Sequence, residues 1–169
     1  MYDYVLQYGF NREMQNTIQE IKNCLKENGV EDKERNWLPH ITIDLYNCKN
    51  RDEFINKLDK IIENIDCFRI DCKNLNNFGE ETLYIDPYDK EELLKLKLVF
   101  DEGLQEYRIE NRKMREYRPH ITLCTNDDLT KAKEIANKKF KAIIGRVEYV
   151  WVYDCNMNLI REYKLKMEK

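Results

Sequence analysis

The apolar residues of the chain recur at two different spacings, and the change from one spacing to the other divides it into short elements. The stretch 2–7 has the composition of a β-strand. The next apolar positions lie three or four residues apart, which predicts one face of a helix ending near Asn28 and Gly29. That face consists of Met14, Ile18, Ile21 and Leu25. The chain therefore begins with a strand and an amphipathic helix.

Three further helices are predicted downstream from the same helical spacing. The second helix follows an N-cap at Asn50 or Asp52, since both side chains can accept a hydrogen bond from the first turn. The fourth helix covers 130–139. The apolar positions of the second helix are Phe54, Leu58, Ile61, Ile62 and Ile65, and those of the third are Leu93, Leu94, Phe100 and Leu104.

Two hairpins are predicted where short alternating runs flank turn-forming residues. The first lies within 67–86 and is broken at 76–79, where Phe78 and Gly79 are expected to shape the turn. The second occupies 140–167, with its turn at 155–158.

A short phrase that contains histidine occurs twice. The segment 37–43 reads WLPHITI and the segment 117–123 reads YRPHITL, and these phrases hold both histidines of the chain. Each phrase is followed by a helix and a hairpin. The sequence therefore predicts an α+β fold: a single bilobal domain over 1–169, with two lobes related by an approximate twofold axis. Mainly antiparallel sheets would face a central cleft, with the helices on the outside.

Alternation along a strand places the histidine and the threonine of each phrase on the same face. The aliphatic residues between them would then anchor the strand in the core. Proline suits the first position of a strand, where no ladder hydrogen bond is lost. If the twofold axis brings the two strands together, four polar side chains surround one point. They are His40, Thr42, His120 and Thr122.

Two histidines across a cleft suit an in-line displacement at phosphorus. One group must take a proton from the incoming oxygen while another gives a proton to the leaving oxygen, and histidine exchanges protons near neutral pH. The hydroxyls of Thr42 and Thr122 can donate to the non-bridging oxygens, although threonine also favours strands for structural reasons. We expect no metal and no cofactor, since the chain has two histidines and no paired CxxC motif.

The net charge and the cysteines further restrict which ligands and which location we expect for the protein. The net charge of −3 argues against a protein that grips long nucleic acid, although it permits a small or end-bound phosphate ligand. The six cysteines follow no basic, apolar leader, and no run of about 18 apolar residues occurs. We therefore expect a cytoplasmic protein with reduced cysteines that contacts no membrane, and we expect it to be a monomer.

The doubled HxTx motif, with x aliphatic and the histidines 80 positions apart, resembles the two-histidine phosphoesterase superfamily. That superfamily includes RNA 2′,3′-cyclic phosphodiesterases and the so-called 2′-5′ RNA ligases. The resemblance runs from the first strand to Tyr163. It implies metal-independent hydrolysis of a 2′,3′-cyclic phosphate of RNA ends or of a related cyclic nucleotide, weak 2′-5′ RNA ligase activity and a role in RNA processing. It also implies catalysis by the four motif residues, with His40 as the acid and His120 as the base.

Further substrate contacts are predicted near the two motifs. The stretch before the second histidine is rich in cations, and Arg115 and Arg118 are expected to contact phosphate, which suits the planar guanidinium. Trp37 and Tyr117 each stand three residues before a histidine and can stack on a nucleobase. Tyr8, at the end of the first strand, is a similar candidate. A solvated loop for the arginines and core packing for the aromatic residues are the competing interpretations.

A nucleotide-binding module without turnover is the alternative function. It would use the same cleft, but binding alone needs no pair of acid and base, so the two intact histidines favour an enzyme. Candidate substrates are transfer-RNA ends, short oligonucleotides, 2′-5′ adenylates and cyclic products of ADP-ribose.

Overall fold

The computed structural model describes residues 1–34 and 36–167. The strands are β1 (Tyr4–Phe10), β2 (Ile41–Tyr46), β3 (Phe68–Phe78), β4 (Thr82–Pro87), β5 (Ile121–Thr125), β6 (Ile143–Asp154) and β7 (Leu159–Lys164). The helices are α1 (Arg12–Glu27), α2 (Arg51–Ile62), α3 (Glu91–Gly103), α4 (Glu110–Lys113) and α5 (Thr130–Lys139), and a 3₁₀ turn covers Gln105–Tyr107. All named strand pairs are antiparallel, so the predicted α+β class is confirmed.

The observed elements differ from the predicted ones in local detail. Asn50 is the residue that caps α2, because its side chain accepts a hydrogen bond from the Glu53 amide at 3.3 Å. The first hairpin turns later than predicted, since β3 continues to Phe78 and Gly79 then takes a φ of +53°. The 3₁₀ turn and α4 lie in the charged stretch before the second histidine phrase, where the apolar spacing gave no helical signal.

One curved sheet connects the two histidine phrases. Its strand order is β2-β1-β6-β3-β4-β5, with β7 also paired to β6. Along one edge β6 pairs with β1, and along the other edge it pairs first with β3 over 143–147 and then with β7 over 149–153. The sheet path therefore has β2 at one end and β5 at the other, and these two end strands contact each other. The curvature brings the two phrases together.

The helices cover the sheet with apolar faces that agree with the predicted spacing. The first helix packs against β1, β5, β6 and α5, while α2 packs against α3. Burial of large apolar side chains such as these contributes about 1.5–3 kcal/mol each to stability. The buried side chains of α1 are the predicted Met14, Ile18, Ile21 and Leu25, and those of α2 are Phe54, Leu58 and Ile62.

The branch at β6 divides the strands into two groups of four that share β6. One group contains β1, β2 and β7, and the other contains β3, β4 and β5. The two lobes, the twofold relation between them and the single-domain boundary at 1–169 stay predictions. In the part of the chain that the structure describes, no helix combines the length and the apolar character needed to cross a bilayer.

Candidate active site

The four motif residues line one cavity. It has a volume of about 300 Å³ and its walls include His40, Thr42, His120 and Thr122. The aliphatic residues between and after them are fully buried, which fixes each strand in the core. These anchors are Ile41, Ile43, Ile121 and Leu123. The predicted convergence of the two phrases therefore occurs, because the strands that carry them form the contacting ends of the sheet.

Both imidazoles are oriented by the backbone two residues earlier. Nδ1 of His40 lies 2.7 Å from the carbonyl oxygen of Leu38, and Nδ1 of His120 lies 2.7 Å from that of Arg118. A carbonyl oxygen only accepts hydrogen bonds, so each Nδ1 carries the proton. In the neutral ring Nε2 is then the basic nitrogen. Each phrase thus fixes both the direction of its imidazole and its tautomer.

The two histidines differ in their hydrogen bonds to threonine. Nε2 of His40 lies 3.2 Å from Oγ1 of Thr42, so the hydroxyl donates to the neutral ring. Within residues 1–34 and 36–167, His120 and Thr122 make no equivalent hydrogen bond. The site is therefore not symmetric at the level of contacts, although its two halves share one motif.

Burial lowers the pKa of both histidines because it disfavours the charged imidazole. Burial lowers the pKa of His40 to about 4; the carbonyl of Leu38 opposes this effect, and the charges of Lys22 and His120 add to it. The pKa of His120 is also lowered by burial, against which the carbonyl of Arg118 and the charge of Asp86 favour the protonated form. Both rings are therefore neutral in the free protein near pH 7.

Aromatic rings hold each imidazole from the side. Trp37 stands edge-on to His40 with ring centroids 6.0 Å apart, and its half-buried ring lines the cavity. Phe78 stands edge-on to His120 at 4.8 Å and stacks on Tyr84 at 4.2 Å. The sequence analysis predicted Trp37 as a substrate contact, whereas Phe78 was expected only to shape the hairpin. Phe78 lies at the end of β3, a strand that pairs with β4 and not with β5, the strand that follows His120. The sequence around Phe78 therefore gave no indication that its ring would contact His120.

Tyr117 joins the two phrases. Its hydroxyl donates to the carbonyl oxygen of Thr42 at 3.0 Å, and Lys97 Nζ lies 5.5 Å from the centre of its ring. Burial raises the pKa of Tyr117 well above its usual value, so the hydroxyl keeps its proton and remains a donor. Tyr117 is therefore equivalent to Trp37 in sequence but not in position. Trp37 lines the cavity of the four motif residues, whereas Tyr117 lines a second cavity that shares Thr42 as a wall.

The predicted substrate contact by Tyr8 is wrong. Its side chain has no exposed surface, and its ring lies edge-on to Phe68 at 5.9 Å and to Phe100 at 6.3 Å. Among the described residues its hydroxyl finds no hydrogen-bond partner. Both edges of β1 are paired and all seven of its residues are buried, so the end of the first strand is part of the core.

Arg115 and Arg118 border a second cavity of about 320 Å³. This cavity adjoins the first, since the two share Thr42, Phe78 and His120 as walls. Both arginines are exposed. The guanidinium of Arg118 donates to Glu116 at 2.8 Å, while that of Arg115 makes no hydrogen bond or ion pair within the described ranges. The two arginines thus lie beside the motif residues and not among them, and the phosphate contact expected of them stays a prediction.

A buried ionic cluster behind Thr42 was missed by the sequence analysis. Asp44 follows two residues later in β2, with a side chain only 4% exposed, and accepts from Lys97 at 3.0 Å and from Arg112 at 2.7 Å. Lys97 also pairs with Asp101. Burial by itself would raise the pKa of Asp44, but the hydrogen bonds from Arg112 and the charge of Lys97 hold it below its usual value. The cluster ties α3 and α4 to the strand that carries His40.

Lys22 is a second residue that the sequence analysis missed. It extends from α1 to the cavity, where Nζ donates to the carbonyl oxygen of Trp37 at 2.8 Å. Burial lowers its pKa, against which Asp32 favours the charged form. A cation at this place supports the segment that leads into His40. Lys22 follows Ile21 of the buried face of α1, and the apolar spacing of that helix gave no sign that a lysine beside it would reach the cavity.

Within the described ranges, no group of three or more histidine, cysteine, aspartate or glutamate side chains is arranged to hold a metal ion. The metal-independence of the chemistry stays a prediction.

A curved antiparallel sheet whose ends bring two Pro-His-Ile-Thr phrases to one cavity defines an α+β protein of the two-histidine type. The sequence model of the 2′-5′ RNA ligase superfamily matches residues 10–153, and the chain belongs to that superfamily. The resemblance seen in the sequence is thereby confirmed. A search of curated proteins gave no significant match.

Solved structures show the same fold at low sequence identity. TT0787 of Thermus thermophilus is 12% identical, with a TM-score of 0.69, and the match covers 99% of this chain and all of the other. The apo form of Escherichia coli LigT is 11% identical, with a TM-score of 0.68 and 98% of each chain covered. The complex of LigT with 3′-AMP is 10% identical, with a TM-score of 0.67, covering 97% of this chain and 98% of LigT.

Proposed function

We propose that this protein hydrolyses a 2′,3′-cyclic phosphate, at an RNA end or in a related cyclic nucleotide, with His40 and His120 as paired base and acid. The observation that carries the proposal is the shared cavity, in which two imidazoles and two threonine hydroxyls face the same space. The fixed tautomers add to it, since each imidazole presents Nε2 as its reactive nitrogen.

In the proposed reaction, a water oxygen attacks phosphorus as the bond from phosphorus to one ribose oxygen breaks. One neutral histidine takes the proton from the water, and the other, protonated, gives its proton to the ribose oxygen. The product is a ribose with one hydroxyl and one phosphate monoester. Each positioned proton transfer contributes typically about 10²–10⁴ in rate.

The surroundings of the two rings favour His40 as the base and His120 as the acid, which reverses the order taken from the resemblance. The pKa of His40 is lowered to about 4, with Lys22 adding to the effect of burial. Around His120, the charge of Asp86 opposes the effect of burial and favours the protonated ring. An anionic phosphate in the cavity would raise the pKa of both imidazoles, and His120 would take the proton more readily.

The remaining groups of the cavity suit the substrate. The hydroxyls of Thr42 and Thr122 can donate to the non-bridging oxygens of the phosphate. The half-buried ring of Trp37 offers a surface on which a nucleobase can stack. Escherichia coli LigT, which shares the fold, has been crystallised with 3′-AMP and with phosphate. We propose the same ligand chemistry for this chain, without a metal ion. Weak joining of RNA ends would follow when the 5′ hydroxyl of another RNA end attacks the cyclic phosphate in place of water.

Turnover assays of histidine variants test the proposal. Purified protein is incubated with adenosine 2′,3′-cyclic phosphate in the presence of a chelator, and the product is separated by chromatography. We expect His40→Gln and His120→Gln each to reduce the rate by about 10²-fold or more, because each removes one proton transfer. Thermal unfolding of both variants serves as the control for folding.

The results separate the two functions. Wild-type rates in both variants would contradict the proposal. Binding of the nucleotide without turnover by the wild type would support a non-catalytic module that uses the same cavity. The cytoplasmic location and the monomeric state stay predictions.

A further inference from the structure

The cavity next to the histidines has cationic walls. Among the described residues that line it, four are cations and two are carboxylates: Lys97, Arg112, Arg115, Arg118, Asp44 and Glu116. It shares Thr42 and His120 with the candidate active site, so a phosphate held between the histidines would lie at its edge.

Two of the four cations are available to a ligand. Lys97 is buried and engaged by Asp44 and Asp101, and Arg112 donates to Asp44 through Nε. By contrast, the exposed Arg115 has no acceptor among the described residues. Within the part of the chain that the structure describes, Arg118 pairs only with the exposed Glu116, a type of surface pair that contributes little. These two guanidinium groups can therefore bind an anion without breaking a buried contact, and their planar donor geometry suits phosphate.

The chemistry of the ribose restricts where that anion can be. In a 2′,3′-cyclic phosphate, the 2′ and 3′ oxygens are both bonded to the reacting phosphorus. The remaining exocyclic oxygen of the ribose is the 5′ oxygen. A second phosphate joined to the same ribose must therefore be attached there.

We propose that the cavity bounded by Arg112, Arg115 and Arg118 binds a phosphate on the 5′ oxygen of the ribose whose cyclic phosphate is hydrolysed. This inference rests on the proposed function and narrows its substrate class. A ribose with a free 5′ hydroxyl leaves Arg115 and Arg118 without their ligand. The preferred substrate carries two phosphates on one ribose, as the last residue of an RNA chain does, and as a 5′-phosphorylated or ADP-ribose-derived cyclic nucleotide does.

The test compares three substrates that differ only at the 5′ oxygen. They are adenosine 2′,3′-cyclic phosphate, its 5′-phosphorylated form, and a dinucleotide ending in the same cyclic phosphate. We expect kcat/KM to be about tenfold higher for the 5′-phosphorylated form, mainly through KM, because a charge-assisted contact is worth more than about 1.4 kcal/mol. A dinucleotide as good as the 5′-phosphorylated form supports recognition of the phosphate alone. A dinucleotide that is better still supports an RNA chain as the source of that phosphate.

Arginine variants show whether this cavity causes the preference for the 5′-phosphorylated substrate. Arg115→Ala and Arg118→Ala should each bring the ratio of the two kcat/KM values towards one. Arg69→Ala is the matched control, since Arg69 has the same 67% side-chain exposure as Arg118 and also pairs with a carboxylate two residues away. This control should leave the ratio unchanged.

Failure of the inference and failure of the proposed function give different results. Equal kcat/KM values for the 5′-hydroxyl and 5′-phosphorylated substrates would overturn the inference while leaving the activity intact. If neither substrate is turned over, the proposed function fails, and calorimetric binding decides the inference. In that case, adenosine 3′,5′-bisphosphate binding more tightly than adenosine 3′-phosphate, with the difference lost in Arg115→Ala, supports the cavity. Equal affinities overturn it.

Discussion

The imidazole of each histidine is oriented by atoms of its own phrase. The carbonyl oxygen two residues before the ring accepts from Nδ1 at 2.7 Å in both phrases, although these lie at opposite ends of the sheet path. Orientation and tautomer are therefore local properties, which is why a four-residue motif could identify the reactive groups. The pKa values are not local, because they depend on burial by residues from other elements, such as Lys22 for His40.

Acid should destabilise the protein in part through His40. In the folded state its pKa is about 4, below the 6.5 of an exposed histidine, so between these values the unfolded chain binds a proton that the folded chain does not. The stability that this histidine contributes is complete above about pH 6.5 and is lost as the pH falls towards 4. We expect His40→Gln to lose less free energy of unfolding over this range, by up to about 1.4 kcal/mol per pH unit.

Urea unfolding of the wild type and of His40→Gln at several pH values measures this difference. Above pH 7, where both states of the wild type hold a neutral histidine, the gap between the two proteins should stay constant. Stability curves that run parallel through the acid range would show that His40 has an ordinary pKa in the folded protein.

At the scale of elements, β2 is the strand through which the site is held in place. Its two faces have different surroundings: Ile41 and Ile43 are buried in the core, while Thr42 and Asp44 face the cavities and the ionic cluster. The alternation could be predicted from sequence, and so could the burial of the isoleucines. The partners of Asp44 could not, because Lys97 and Arg112 lie 53 and 68 residues away on elements whose docking depends on the whole fold.

Replacement of Asp44 should destabilise the fold strongly. Asp44→Ala removes the carboxylate from a buried cluster and leaves Arg112 and Lys97 without one of their acceptors, which typically costs about 3–5 kcal/mol. Asp71→Ala is the control, because Asp71 also lies on a strand and pairs with an arginine, but that arginine is exposed. The control should cost much less, because a solvent-exposed ion pair contributes little to stability.

The free energy of unfolding in urea measures both variants. A loss for Asp44→Ala as small as that for Asp71→Ala would mean that the cluster contributes no more than a surface ion pair. Activity is not the readout here, since Asp44 supports β2 and touches no reacting atom in the proposed mechanism.

At the scale of the whole molecule, the cavity exists because the two end strands of one sheet, β2 and β5, contact each other. The repeat of the phrase predicted that two strands would meet, and the element order predicted an α+β fold. The repeat and the element order could not show that β6 pairs with both β3 and β7 along one edge. This pairing allows a single curved sheet to carry both phrases. Tyr8 illustrates the same limit: its position at a strand end suggested exposure, but β1 is paired along both edges and Tyr8 lies in the core.

The contact between β2 and β5 places His40 and His120 at one cavity, so an anion bound there should couple ligand binding to the protonation of the two imidazoles. An anion raises the pKa of the imidazoles it contacts, so its binding takes up a proton and strengthens as the pH falls. Deoxyadenosine 3′-(methyl phosphate) is a suitable ligand, since its single charge stays constant and it lacks the 2′ hydroxyl. We expect calorimetry to show several-fold tighter binding at about pH 6 than at about pH 8, while deoxyadenosine shows no such change. In His120→Gln the pH dependence of binding should diminish, because His120 is the ring that takes the proton more readily. Equal affinities of the wild type at both pH values would contradict a phosphate bound between the two rings.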